Sequence, residues 1–221
     1  MPRAARLSLG GYCYHVLNRG KGRRTVFRKI GDYDAFVKAI QYAQDKLPIR
    51  ILAACLMPNH FHLVLWPERD GDLSHWMQWL MTTHVRRYHE HYKSSGHIWQ
   101  GRFKAFAIQE DDHLLYVLRY VERNPLKAGL CEASTAWTWS SARWRCEPSP
   151  TIQITPSTVS LPANWTRIVD TEPSDANYRV FYQCLERNRP YGTDAWTTKA
   201  AQAMGLASTL RERGRPRKTE D

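Results

Sequence analysis

The chain has no Cys-x-x-Cys pair. Its five cysteines (Cys13, Cys55, Cys131, Cys146 and Cys184) are odd in number and widely spaced. That argues against a disulfide framework or a zinc knuckle and for a reducing compartment. No apolar run approaches the length that crosses a bilayer. The basic start Met1-Pro2-Arg3-Ala4-Ala5-Arg6 has no apolar stretch of the secretory-signal kind behind it. There is no Gly-x-x-x-x-Gly-Lys-Ser/Thr loop to cradle a nucleoside triphosphate, no internal repeat and no long low-complexity run. A soluble, cytoplasmic protein without a membrane partner is the expectation.

Acidic residues are also scarce. Against 32 Lys and Arg stand 21 Asp and Glu, giving a formal charge of +11 and an isoelectric point near 9.6. Nine Trp and eleven Tyr are interleaved with these cations. Phosphates need cations and unstacked bases need flat platforms, so this composition suits a single-stranded nucleic acid. With 221 residues and 43% hydrophobic content, the chain can bury a real core, as one domain with an extension or as two small domains.

The pattern along the chain predicts a strand at Tyr12–Leu17, then a Gly/Lys/Arg loop from Asn18 to Arg24. A helix is expected from Asp32 to Lys46, ended by Pro48. Strands at Ile49–Leu56 and His60–Trp66 flank the turn signal Pro58-Asn59 and read as a hairpin. Leu73–Tyr92 is a long helix with basic residues toward its end. Ile98–Ala107 alternates, with Gln100, Arg102 and Lys104 on one face, and predicts a half-buried strand showing a cationic row. Asp111 or Asp112 caps a helix from about His113 to Arg123, which Asn124-Pro125 is expected to end. After a linker-like stretch, from Glu147 to about Asn164, two short helices are expected at 175–189 and 194–210. A basic tail follows at 211–218. The order β-α-β-β-α-β-α predicts an α+β fold with an antiparallel sheet of about four or five strands and packed helices.

Two features carry chemistry. Side chains alternate along a strand, so His60 and His62 share one face while Phe61 points into the opposite layer. Two imidazoles placed this way are either ordinary strand histidines or a pair able to chelate one divalent cation. On the helix at 113–123, Tyr116, Tyr120 and Asn124 are four apart and rise along one side. The apolar stripe is Leu114, Val117, Leu118 and Val121. Tyr120 lies nearer that stripe than Tyr116, so it is better placed to meet groups on the sheet, and Asn124 one turn on offers an amide oxygen.

On these residues the chain resembles the single-tyrosine HUH transposases, most of all the REP-associated tyrosine transposases. Four segments carry the resemblance: Tyr14-His15-Val16-Leu17-Asn18-Arg19-Gly20, Met57-Pro58-Asn59-His60-Phe61-His62, Gly96-His97-Ile98-Trp99-Gln100-Gly101-Arg102-Phe103, and the run from Tyr120 through Asn124-Pro125 to Leu130. The resemblance implies a ferredoxin-like HUH core at 1–145, with 146–221 as a C-terminal extension. It implies Tyr120 as nucleophile and His60, His62 and Asn124 as the metal site, for Mg²⁺ or Mn²⁺. The implied reaction is cleavage and transfer of single-stranded DNA at hairpins or palindromic repeats through a 5′-phosphotyrosine link, by a protein associated with the nucleoid when bound. Asn18, Arg19, Lys21, Arg23, Arg24, Gln100, Arg102 and Lys104 are candidate DNA contacts. Arg215 and Arg217 of the tail are candidates for an A·T-rich minor groove. Alternatives are a catalytically silent hairpin-binding protein or repressor, and a replication-initiator-type HUH nuclease. Tyr116 is the rival nucleophile, and both monomer and homodimer are open.

Overall fold

The computed structural model describes residues 8–173 and 178–211. Strands β1 (Cys13–Arg19), β2 (Arg50–Met57), β3 (His60–Trp66) and β4 (Lys104–Ile108) form one antiparallel sheet in the order β2-β3-β1-β4. With α1 (Ile30–Lys46) after β1 and α2 (Asp72–Tyr92) after β3, this is the ferredoxin-like β-α-β-β-α-β arrangement.

The two faces of the sheet are both buried, which alternation alone explains. Val16, Phe61, Leu63 and Leu65 face α1 and α2 and pack with Phe36, Ile40, Trp76 and Leu80. Cys13, Val64 and Phe106 face the other way, against Leu114, Val117, Leu118 and Val121 of α3 (Asp112–Lys127). Helix α1 begins where the Asp32 carboxylate accepts the backbone N–H groups of Arg28 and Lys29 (2.8 and 3.2 Å). Asp111 caps α3 by accepting the His113 N–H at 2.9 Å. Both uses satisfy helix-start donors that have no partner within the helix.

Two expectations about local structure fail. The strand expected at Ile98–Ala107 is regular only from Lys104 to Ile108. The β1–β4 ladder pairs Leu17 with Lys104, and continuing that register would pair Gly20 with Gly101. Gly20 pairs with Trp99 instead, so two residues loop out. The Asn18 side chain takes the Gly101 carbonyl (3.0 Å) and the Gln100 N–H goes to the Arg19 carbonyl (2.8 Å), which holds the segment in this bulged path. Nor does Asn124-Pro125 end α3, which runs on to Lys127 with Pro125 inside it. A proline removes the N–H that would reach the Val121 carbonyl. The Asn124 amide nitrogen compensates by donating to the carbonyls of Tyr120 (2.7 Å) and Val121 (3.5 Å). Gly129, at φ 67°, then supplies the left-handed turn that closes the helix.

Beyond α3 come α4 (Ser141–Trp144), α5 (Trp165–Asp170), α6 (Tyr178–Arg187) and α7 (Asp194–Ala203). The chain here covers both sheet edges. The Leu56 and Thr155 N–H groups pair with Trp139 and Ile51 carbonyls on the β2 side, and Tyr191 bonds Ala107 and Gln109 on the β4 side. Covering an edge removes a template for unwanted strand pairing. Within the stretch expected to be linker-like, Ile152 and Ile154 are buried in the core.

Glu122, fully buried on α3, ties these pieces together. One carboxylate oxygen accepts from Arg145 (2.9 Å) and Ser141 (2.6 Å), the other from the Trp165 indole (2.7 Å). Arg145 also donates to the Leu52 carbonyl of β2. Removing one partner of a buried pair leaves the other uncompensated. Glu122→Ala is therefore expected to cost about 3–5 kcal/mol, read as a lower urea midpoint at pH 7.5.

Candidate active site

The site lies between the sheet and α3. β3 sets His60 and His62 on the α3-facing side, with ring centres 4.9 Å apart and planes nearly perpendicular. Phe61 points into the opposite layer, against Phe36 and Trp99. The Asn59 side-chain oxygen lies 2.6 Å from His60 Nδ1. An amide oxygen only accepts, so His60 carries its proton there and leaves the Nε2 lone pair available. His62 Nδ1 lies 2.9 Å from His15 Nε2 of β1, while His62 Nε2 is buried with no partner among the described residues.

All three imidazoles are held neutral. Burial lowers the His15 pKa to about 3. Burial and then Arg19 lower that of His60 to about 4. His62 is pushed well below the ordinary range by burial first, then by its neighbours His60, His15 and Arg19. Neutral imidazole is the form that ligates a cation.

Tyr120 closes the site from above. Its ring centre is 5.5 Å from that of His62 and 6.1 Å from that of His15, and Phe181 of α6 packs against it at 4.6 Å. Burial raises its pKa well above the usual phenol value, and Tyr182 and Tyr178 add to the shift. Arg19 and a hydrogen bond from Asn124 oppose it. A phenol so placed is a weak nucleophile until extra positive charge arrives. Tyr116, one turn earlier, packs on Phe181 and Tyr191. It does not line the cleft that contains His62; it lines a second cavity of about 310 Å³, with Arg119, Arg123 and Lys127, which Tyr120 also borders.

Opening from His62 and Tyr120 is a cleft of about 900 Å³. Asn18, Arg19, Arg23, Gln100, Arg102 and Lys104, all singled out from the sequence, line it. Asn18 is buried, and its amide is engaged with Gly101 and the Arg19 N–H, so it shapes the wall. Lys21 and Arg24 sit outside the cleft on the adjoining turn, where Arg24 donates to the His97 carbonyl (2.8 Å). Arg215 and Arg217 lie outside the described residues. Sequence reasoning missed the opposite wall: Tyr182, Leu185, Glu186 and Asn188. The i, i+3, i+4, i+7 spacing of Tyr178, Phe181, Tyr182 and Leu185 signals an amphipathic helix, but not what it covers.

The side chains fit a divalent cation. The buried Nε2 of His62 has no partner among the described residues, and His60 Nε2 is left free by the bond at Nδ1. Asn124, its amide nitrogen on the Tyr120 carbonyl, does not line the cleft that holds His62 and Tyr120, and neither does His60. Among the described residues no group of three or more His, Cys, Asp or Glu is arranged to hold a metal. The two neighbouring neutral imidazoles suit a divalent ion whose other positions are open to oxygen donors.

The IS200-like transposase family model matches residues 9–124. A Haemophilus influenzae protein provisionally named a REP-associated tyrosine transposase is 31% identical over 122 residues, half of this chain and 69% of that protein. The Escherichia coli REP-associated tyrosine transposase is 26% identical over 135 residues, 60% of this chain and 76% of its own length. Among solved structures, a REP-associated tyrosine transposase bound to a REP hairpin superposes with a TM-score of 0.56. It shares 22% identity and covers 72% of this chain and 97% of its own.

Proposed function

The chain belongs to the IS200-like transposase family, and on that premise we propose that it cuts and rejoins single-stranded DNA at hairpins of palindromic repeats, through a 5′-phosphotyrosine on Tyr120. The observation that carries this reading is one cleft holding a partly buried tyrosine, a neutral histidine with a free nitrogen, and a row of cations.

The Tyr120 phenol gives up its proton to solvent as its oxygen attacks phosphorus in line, the P–O3′ bond breaks, and the 3′ oxygen takes a proton from water and leaves as a hydroxyl. A 3′-hydroxyl attacking the phosphotyrosine reverses the step and rejoins DNA, so the phosphodiester energy is retained and no nucleotide cofactor is consumed. His60, His62 and Asn124 would hold Mg²⁺ or Mn²⁺, which supplies polarisation of a non-bridging phosphate oxygen. Arg19, which lines the same cleft as Tyr120, favours the ionised phenol by its charge. Arg23, Arg102 and Lys104 neutralise the backbone, and Tyr182 offers a flat face across the cleft for a base. In this assignment residues 1–145 carry the chemistry and 146–221 complete the cleft through α6. The fold has no helix among its described residues long and apolar enough to cross a membrane, and the proposed setting is the cytoplasm.

The test is a denaturing gel of the full chain with end-labelled single-stranded hairpin DNA that carries flanking sequence. A covalent adduct that forms with Mg²⁺ or Mn²⁺ and disappears with EDTA is expected. Hairpin binding with no adduct under any divalent ion would instead mark a DNA-binding protein without strand transfer.

The cationic row has its own signature. A cation that neutralises one phosphate of a single strand contributes about 0.7 to the salt slope of log affinity. Arg102→Ala and Lys104→Ala are each expected to weaken hairpin binding and reduce that slope by about this amount, measured by fluorescence anisotropy across a NaCl series. An unchanged slope would remove that side chain from the DNA path.

A further inference from the structure

His15 takes no part in the proposed strand transfer, yet it is fully buried in the α3-facing layer. The β1–β3 register pairs Leu17 with His62 and His15 with Val64, so His15 and His62 are diagonal neighbours on one face. Their nitrogens are 2.9 Å apart, with ring centres at 5.1 Å and planes only 22° from parallel. Rings whose nitrogens meet this closely at that centre-to-centre distance lie edge to edge, lone pair to N–H. The other aromatic rings against His15 are those of Phe106, Tyr120 and Phe181. Its other nitrogen, Nδ1, is buried with no partner among the described residues. An apolar side chain would fill this aromatic pocket without an orphaned polar atom. What an apolar residue lacks is the bond to His62.

That bond admits two proton arrangements. In one, His15 donates from Nε2, and His62 carries its proton on Nε2, where it blocks a ligand. In the other, His62 donates from Nδ1 to His15 Nε2, and His62 Nε2, which has no partner among the described residues, presents a lone pair to a ligand. Each leaves one buried N–H without a partner, so the protein alone sets no strong preference; a cation at Nε2 selects the second. An outer partner that fixes tautomer and ring orientation is a common requirement of imidazole ligands. We propose that His15 is a positioning residue that accepts the His62 Nδ1 proton and thereby fixes His62 Nε2 as the ligating atom. This rests on the metal reading given under Proposed function.

The test measures Mn²⁺ affinity of the full chain, without DNA, from the loss of the free-ion EPR signal. Four forms are compared: the parent, His15→Leu, His15→Gln and His62→Ala. Glutamine can place an acceptor oxygen near the position of Nε2. His15→Leu is expected to bind Mn²⁺ about 10–100-fold more weakly than the parent, and His15→Gln to recover most of the loss at equal thermal stability. His15→Leu binding as tightly as the parent would overturn the inference alone, as would His15→Gln proving no better than His15→Leu. A parent no tighter than His62→Ala would overturn the metal reading, and this inference with it. Should His15→Leu not fold, ¹⁵N NMR of the imidazoles in Mg²⁺-loaded parent protein decides. Protonation of His62 at Nδ1 supports the proposal and protonation at Nε2 overturns it.

Discussion

Tyr120→Phe is expected to abolish the covalent DNA adduct and to slow hairpin cleavage by at least ~10³-fold, the scale of losing a nucleophile. Binding of the hairpin should change little, because the ring that packs against Phe181 and His62 is kept. Tyr116→Phe should retain the adduct. The distinction follows from geometry: Tyr120 borders both the cleft that holds His62 and the neighbouring cavity, whereas Tyr116 borders only the latter. Single-turnover cleavage of labelled hairpin DNA by the three proteins checks all of this. Retained cleavage in Tyr120→Phe with loss in Tyr116→Phe would transfer the role to Tyr116.

The second large effect concerns acid. His84, on α2, is buried among Phe27, Phe36 and Trp99. Its pKa is lowered to about 4, mainly by burial, with Asp32 opposing and Arg87 and His89 reinforcing. His15 is lowered to about 3. Unfolded imidazoles take up protons near pH 6.5, while these folded ones refuse them until far lower. Between those limits the unfolded chain binds more protons, so stability is full above about pH 7 and falls as pH drops. At pH 5 each such histidine costs about 2 kcal/mol, and His62 shifts in the same direction. About 4 kcal/mol from His15 and His84 alone is a large part of a typical domain's 5–15 kcal/mol. Urea unfolding in EDTA is expected to show at least that loss between pH 7.5 and 5, with His84→Phe removing about 2 kcal/mol of it. Stability that stays flat over this range would contradict the neutral, buried placement of these rings.

The features of local pattern are legible in the sequence. Alternation placed His60 and His62 on one face and Phe61 on the other, and the apolar stripe of α3 turned Tyr120 toward them. What escaped depends on register and on contacts between distant segments. His15 shares a face with Cys13 and Leu17 by alternation, but its bond to His62 exists only because β1 pairs with β3 in one register. The looped-out residues before Lys104 follow from the Asn18 amide capturing the Gly101 carbonyl, a tertiary competitor to the ladder. Pro125 stays helical because the Asn124 side chain serves the carbonyl that proline cannot. The α6 wall was visible only as amphipathicity, and α5, a six-residue helix, was too short to show a period.

The most direct test of the central claim identifies the atom that carries the DNA. The full chain is incubated with Mg²⁺ and a single-stranded hairpin oligonucleotide, trapped by denaturation, digested with nuclease and protease, and mapped by mass spectrometry. The expected product is a nucleotide joined through its 5′-phosphate to the peptide containing Tyr120, with a free 3′-hydroxyl on the released strand. A 3′-phosphate linkage, or the same mass addition on a peptide without Tyr120, would contradict it.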